Sequence, residues 1–254
     1  GMTLNMSIAI TFALFSLVAA GFLDISFKRF SHKTRSRGVF LAICGISWAL
    51  IQVAYYWPKD LSFSFDPATI GYSVLGGICL ASANLVFIAS LRHLNVSLGS
   101  TIYRLNTVGL VILSVVILGE TVGLLRMLGV IMAVSAVWML YERSPQKTNQ
   151  TEIALFLWLV ILASSLRAVF GVIAKAGLSA GADANTALLI YAISWIPVGL
   201  SYAVLRERSS TVNITTITYG IVTGTILFFV ANFLIVALKH GDASAVVPIA
   251  NLSF

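Results

Sequence analysis

The sequence predicts an all-α polytopic membrane protein made of two inverted five-helix repeats, a ten-helix plan that here stops inside the ninth helix. Three observations carry that prediction. The 254 residues are 59% hydrophobic and 10% charged, with a mean hydropathy of +0.97, whereas about a quarter of a soluble domain is charged. Eight apolar runs approach the ~20 residues that cross a ~30 Å hydrocarbon core, and a ninth begins at Ala245. Finally, a shift of 147 residues lays the chain onto itself.

Bounded by charges, prolines and polar clusters, the first five spans are expected at about Ser7–Lys28, Gly38–Trp57, Ala68–Ser90, Ser97–Leu118 and Val122–Tyr141. A polar linker follows at 144–152. Further spans fit Ile153–Ala176, Thr186–Leu205, Ile214–Leu238 and Ala245 onward. The first repeat then covers 1–143 and the second, incomplete, covers 153–254. The amino terminus lacks the basic region and small-residue cleavage site of a secretory signal, so the first run is expected to stay as a helix.

Loops after the odd-numbered spans hold Lys28, Arg29, Lys33, Arg35, Arg37, Arg92, Arg143, Lys147, Arg206 and Arg208, against Lys59, Lys175 and Lys239 on the other face. Short-loop Lys and Arg mark the cytoplasmic side, which puts the loop Arg29–Arg37 in the cytoplasm and the amino terminus outside. This distribution also explains the net charge of +7 without a nucleic-acid surface, because the basic residues lie in separate loops rather than on one helix face. Cys44 and Cys79 each sit in an apolar run and read as small packed hydrophobes.

The shift of 147 brings Lys28 onto Lys175, Ser47 and Trp48 onto Ser194 and Trp195, Tyr72 onto Tyr219, Gly77 onto Gly224 and His93 onto His240. Apolar bias does not pair two tryptophans, two histidines and two lysines in one register. A unit of five spans, an odd number, returns the second copy to the membrane upside down, as in many secondary transporters. Duplication that merely enlarges a bundle is the plainer alternative. Ser73 and Gly77 correspond to Gly220 and Gly224, small residues four apart that let backbones approach.

Ionisable residues inside spans are costly and are candidates for function. Arg167 lies mid-span and Arg104 about seven residues into the fourth span, facing Ala20 and Asn251 in the other copy. Both are expected to contact an anionic substrate group, or else to satisfy backbone carbonyls and snorkel to an interface. Asp24 precedes Lys28 by four residues and is expected to pair with it; a carboxylate in a dry cavity is alternatively a proton carrier. Asn84, Tyr103, Asn106, Asn232 and Asn251 complete the substrate-binding candidates. Trp48 and Trp195 fall near mid-span, where packing between halves is the first reading and ligand stacking the second.

The run Val111–Leu140, an apolar helix closing on Gly119 and Glu120 and followed by a helix with Gly129 near its start, resembles a signature of the drug/metabolite transporter superfamily, closest to its EamA-like permeases. The small-residue turn from His240 to Pro248 is similar to the one leading into that family's ninth helix. The resemblance implies ten helices in two inverted halves, with helices 1, 3, 4, 6, 8 and 9 lining a central cavity. It also implies both termini in the cytoplasm, against the charge bias. Glu120 reads as structural.

No zinc motif, nucleophile motif or phosphate loop is found, so neither an enzyme nor an ATP-driven pump is supported, and no cofactor or metal is expected. The leading expectation is a secondary transporter, an exporter or exchanger of a small polar or amphipathic metabolite, in the cell inner membrane. A membrane-embedded enzyme acting on a lipid-linked substrate is the alternative. Expected partners are a small molecule, anionic on the reading of Arg104 and Arg167 as its contacts, and the bilayer.

Overall fold

The computed structural model describes residues 2–59, 63–92, 96–121, 123–143, 150–208 and 212–250, and every regular element among them is helical. The helices are α1 (Met2–Ser31), α2 (Arg37–Tyr56), α3 (Pro67–Ser90), α4 (Val96–Arg104), α5 (Asn106–Leu118), α6 (Leu124–Arg143), α7 (Gln150–Ser179), α8 (Ala184–Tyr202), α9 (Ile214–His240) and α10 (Ala243–Ala250). Seven stretches among the described residues are long and apolar enough to cross a bilayer, at hydropathies of 1.8 to 2.5. In hydrocarbon each backbone N–H and C=O needs an internal partner, which a helix supplies from its own chain.

Four helix starts share one device. Ser36 accepts a hydrogen bond from the Val39 N–H, Asp66 from Thr69, Asp183 from Thr186 and Asn213 from Thr216, at 3.2, 3.1, 2.9 and 2.7 Å. Such caps satisfy donors that the first turn leaves open. Under the 147-residue shift Ser36 meets Asp183 and Asp66 meets Asn213, and the donors match as well. The register found in the sequence is therefore kept in the backbone.

Packing follows the same register. α1 lies along α9 and α7 along α3, while α2 crosses α9 and α8 crosses α3; the shift exchanges the members of each set. The two sequence units consequently interleave. At the centre α2 meets α8, where Trp48 and Trp195 stand edge to face with centroids 6.0 Å apart. The approach depends on missing side chains, since a Cβ on Gly38 would come within 2.4 Å of the Gly199 carbonyl and one on Gly199 within 2.5 Å of the Gly38 carbonyl. Gly77 meets Ser194 and Gly224 meets Ser47, again equivalent pairs.

The fourth predicted span is not continuous. It breaks at Leu105, where the Leu105 and Val108 N–H groups bond three residues back, to Ile102 and Leu105. Two side chains take up carbonyls at the break: Asn106 Nδ2 donates to Tyr103 O and Thr107 Oγ1 to Arg104 O, each at 2.9 Å. Short polar side chains that bond nearby backbone compete with the helix ladder, and two in succession interrupt it.

α5 ends on Gly119 in the left-handed conformation, φ 66°. The next residue, Glu120, reaches across the molecule and accepts the Ala243 and Ser244 N–H groups at 3.2 and 3.1 Å. A carboxylate at the first turn of α10 satisfies open donors and offsets the positive helix end. The signature Gly-Glu pair thus closes one helix and caps another from the opposite repeat.

Candidate functional site

A pocket of about 50 Å³ lies where the two units meet. Its wall takes residues from α1, α3, α4, α7, α9 and α10, the six elements corresponding to helices 1, 3, 4, 6, 8 and 9, and adds Trp48 from α2 and Tyr191 from α8. Five pairs of positions equivalent under the shift both line it: Leu80 and Leu227, Leu23 and Phe170, Asn84 and Ala231, Tyr103 and Ala250, Ala20 and Arg167. The frame is paired while the chemistry is not. In three of the five pairs a polar residue in one unit opposes alanine in the other.

Asp24 forms an ion pair with Arg104, its Oδ2 accepting from Nη2. The expected Asp24–Lys28 pair is not made. Arg104 sits at the helix break, 8% exposed, where an uncompensated guanidinium is costly. Lys28, one turn outward on α1, lines a wide polar basin instead. Arg104 thus has a counter-charge within the protein, though its Nε is buried with no hydrogen-bond partner.

Arg167 is the free cation of the wall. Its guanidinium lies 4.9 Å from the Phe170 ring centroid, a cation–π contact, and among the described residues it makes neither an ion pair nor a hydrogen bond. With Asp24 and Arg104 cancelling, Arg167 leaves the pocket one positive charge. Tyr103 stacks on Phe87 at 4.2 Å, and Asn84 Nδ2 donates to Leu80 O at 2.9 Å.

Arg104, Arg167, Asn84, Tyr103 and Asp24 therefore come together on one wall. Asn106 and Asn232 lie off it, and Asn251 falls outside the described residues. Asn106 serves the helix break. Asn232 exchanges two hydrogen bonds with Gln52, at 2.9 and 3.2 Å, and accepts a third from the Tyr56 hydroxyl at 3.0 Å. Trp48 Nε1 also donates to Gln52. Gln52 was missed in the sequence, although it is a lone amide in the second apolar run, four residues after Trp48. Ser16, which donates to Val230 O at 3.1 Å, and Tyr191 also escaped notice on the pocket wall.

The pocket and the basin share no lining residue. Phe27 and Phe87 have centroids 6.5 Å apart and lie, along α1 and α3, between the pocket residues Asp24 and Asn84 and the basin residues Lys28 and Leu91. Among the described residues no group of three His, Cys, Asp or Glu side chains could hold a metal ion.

Residues 7–142 match the EamA-like transporter family. One solved crystal structure is similar with a TM-score of 0.73 at 14% identity, over 99% of this chain and 84% of its own, a likeness of fold. No curated protein matches.

Proposed function

Because the chain belongs to the EamA-like transporter family of multi-pass membrane proteins, transporters of small molecules rather than enzymes, we propose that it is a secondary transporter for a small polar or amphipathic metabolite bearing one anionic group. The observation that carries this reading is the lone unpartnered guanidinium of Arg167 in a pocket whose other charges cancel. A carboxylate or phosphate on the substrate supplies the missing countercharge, and the planar fork of arginine holds it bidentately.

About 50 Å³ holds only a few waters, so the wall opens to admit a metabolite. Rocking of the interleaved units about the α2–α8 crossing, exposing the pocket to one face and then the other, provides that opening. The protein works as an exporter or exchanger in the cell inner membrane, with its amino terminus outside as the loop charges favour. Asp24 offers a route to proton coupling: a proton on its carboxylate removes the charge that holds Arg104.

Proteoliposomes tested for counterflow of anionic metabolites and their neutral analogues examine this reading. Arg167→Lys keeps the charge but loses the fork, and is expected to weaken apparent affinity roughly ten- to hundredfold. Unchanged affinity in a normally inserted variant returns Arg167 to a packing role. Equal counterflow of neutral analogues removes the anionic group from the proposal.

A further inference from the structure

A second cavity, about 840 Å³, opens where the end of α1, the loop after it, the end of α3 and the first turn of α9 meet. Lys28, His32, Lys33, Arg35 and Arg92 line it, and none of its lining residues is acidic. Basic loop residues that only mark topology need no common focus, since each lowers its energy by reaching separately into water. Here residues from two helices and a loop turn into one concavity despite their mutual repulsion.

Further features point to a ligand rather than to solvated charge. Arg35 packs against two rings, its guanidinium 5.6 Å from the Phe30 centroid and 5.2 Å from that of Tyr219. Its Nη1 is nevertheless buried with no hydrogen-bond partner. Lys28 makes no ion pair or side-chain hydrogen bond among the described residues, whereas its counterpart Lys175 donates to Leu238 O and Gly241 O at 2.9 Å. Glu207, which meets the loop between α1 and α2, already accepts from Ser36 Oγ and the Arg37 N–H. The first turn of α9, beginning at Asn213, adds the positive end of a 27-residue helix.

We propose that this basin is a binding site for a phosphate-type oxyanion, separate from the central pocket, with which it shares no lining residue. The free arginine donors and the lysine ammonium groups suit a tetrahedral anion, which is the shared chemistry of a soluble phosphate and a phospholipid headgroup. The site stands whether or not the central pocket takes an anionic substrate.

The test uses the full chain in phosphatidylcholine nanodiscs, followed by thermal unfolding. Inorganic phosphate is titrated against chloride at equal ionic strength, and a second arm measures retention of phosphatidylglycerol by native mass spectrometry. A saturable rise in melting temperature specific to phosphate, or selective retention of phosphatidylglycerol, is expected. Lys33 and Arg92 are exposed, so the K33Q/R92Q variant should fold and lose about tenfold or more in affinity. The charge-keeping K33R/R92K variant should bind. A response to phosphate identifies a soluble ligand, and a response confined to phosphatidylglycerol identifies a headgroup. Absence of both responses overturns the proposal, as does a response that survives K33Q/R92Q or vanishes in R167A alone.

Discussion

The two repeats differ least where they hold the backbone and most where they meet the pocket. Ser36 and Asp183, Asp66 and Asn213, and Gly77 and Gly224 do matching work at matching positions. On the pocket wall Asn84, Tyr103 and Arg167 have Ala231, Ala250 and Ala20 as their equivalents. A frame tolerates duplication because helix contacts need the same small residues in both copies. A binding site for an unsymmetrical molecule needs the copies to diverge, and the alanines show where they have.

The sharpest way to break this comparison is at Asp24, whose counterpart is Gly171. Asp24→Asn leaves Arg104 buried without a countercharge, and is expected to cost about 3 to 5 kcal/mol in thermal unfolding and to abolish transport. Adding Arg104→Gln should restore much of the stability without restoring transport, the mark of a direct pair.

The glycine pair separates frame from neighbour. A Cβ at position 224 first meets the Cys44 carbonyl at 2.6 Å, which cannot yield, whereas one at 77 first meets the Ser194 hydroxyl at 2.4 Å. Gly224→Ala should therefore be the more damaging, each costing about 1 to 3 kcal/mol. Equal melting temperatures would mean that both contacts relax alike.

The tryptophans give a smaller contrast. Trp48 Nε1 donates to Gln52 at 3.1 Å, but Trp195 Nε1 is buried without a partner, because the residue equivalent to Gln52 is Gly199. Trp48→Phe and Trp195→Phe remove the same ring volume, so the first should cost about 1 kcal/mol more, the value of one hydrogen bond.

The smallest effect lies at the caps. Hydrogen bonds from Thr69 hold the exposed Asp66 carboxyl below its ordinary value of 3.8. Its contribution is present above that value and is lost as the pH falls through the lower, folded-state one. Asn213 does the same work without titrating. Melting curves taken down through pH 4 should fall more steeply for the natural protein than for Asp66→Asn; parallel curves would assign the acid sensitivity elsewhere.

Much of this was readable from residues. Apolar runs and the 147-residue register anticipated the helices and the central tryptophan contact, since each depends on local chemistry or on repetition. What escaped involves partners far apart in the chain. Asp24 looked to Lys28 because helix spacing shows only near neighbours, while Arg104 lies 80 residues away. Asn232 looked like a pocket residue because its amide partner, Gln52, is 180 residues distant. The break at Leu105 has neither glycine nor proline to announce it; Asn106 and Thr107 cause it through side-chain bonds that compete with the helix. The EamA-like membership, by contrast, was legible in Gly119 and Glu120, and the structure gives that glutamate its task at the start of α10.

The lone positive charge of Arg167 has a consequence for how such a pocket arises. Two identical subunits joined about a twofold axis present every group twice, so one arginine at the interface brings a second, and one countercharge brings another. A single guanidinium with alanine at the equivalent position needs halves that differ, as halves of one chain can. Covalent linkage thus does more here than raise the local concentration of partners. It lets a frame of matching helices carry a pocket whose wall is not matched.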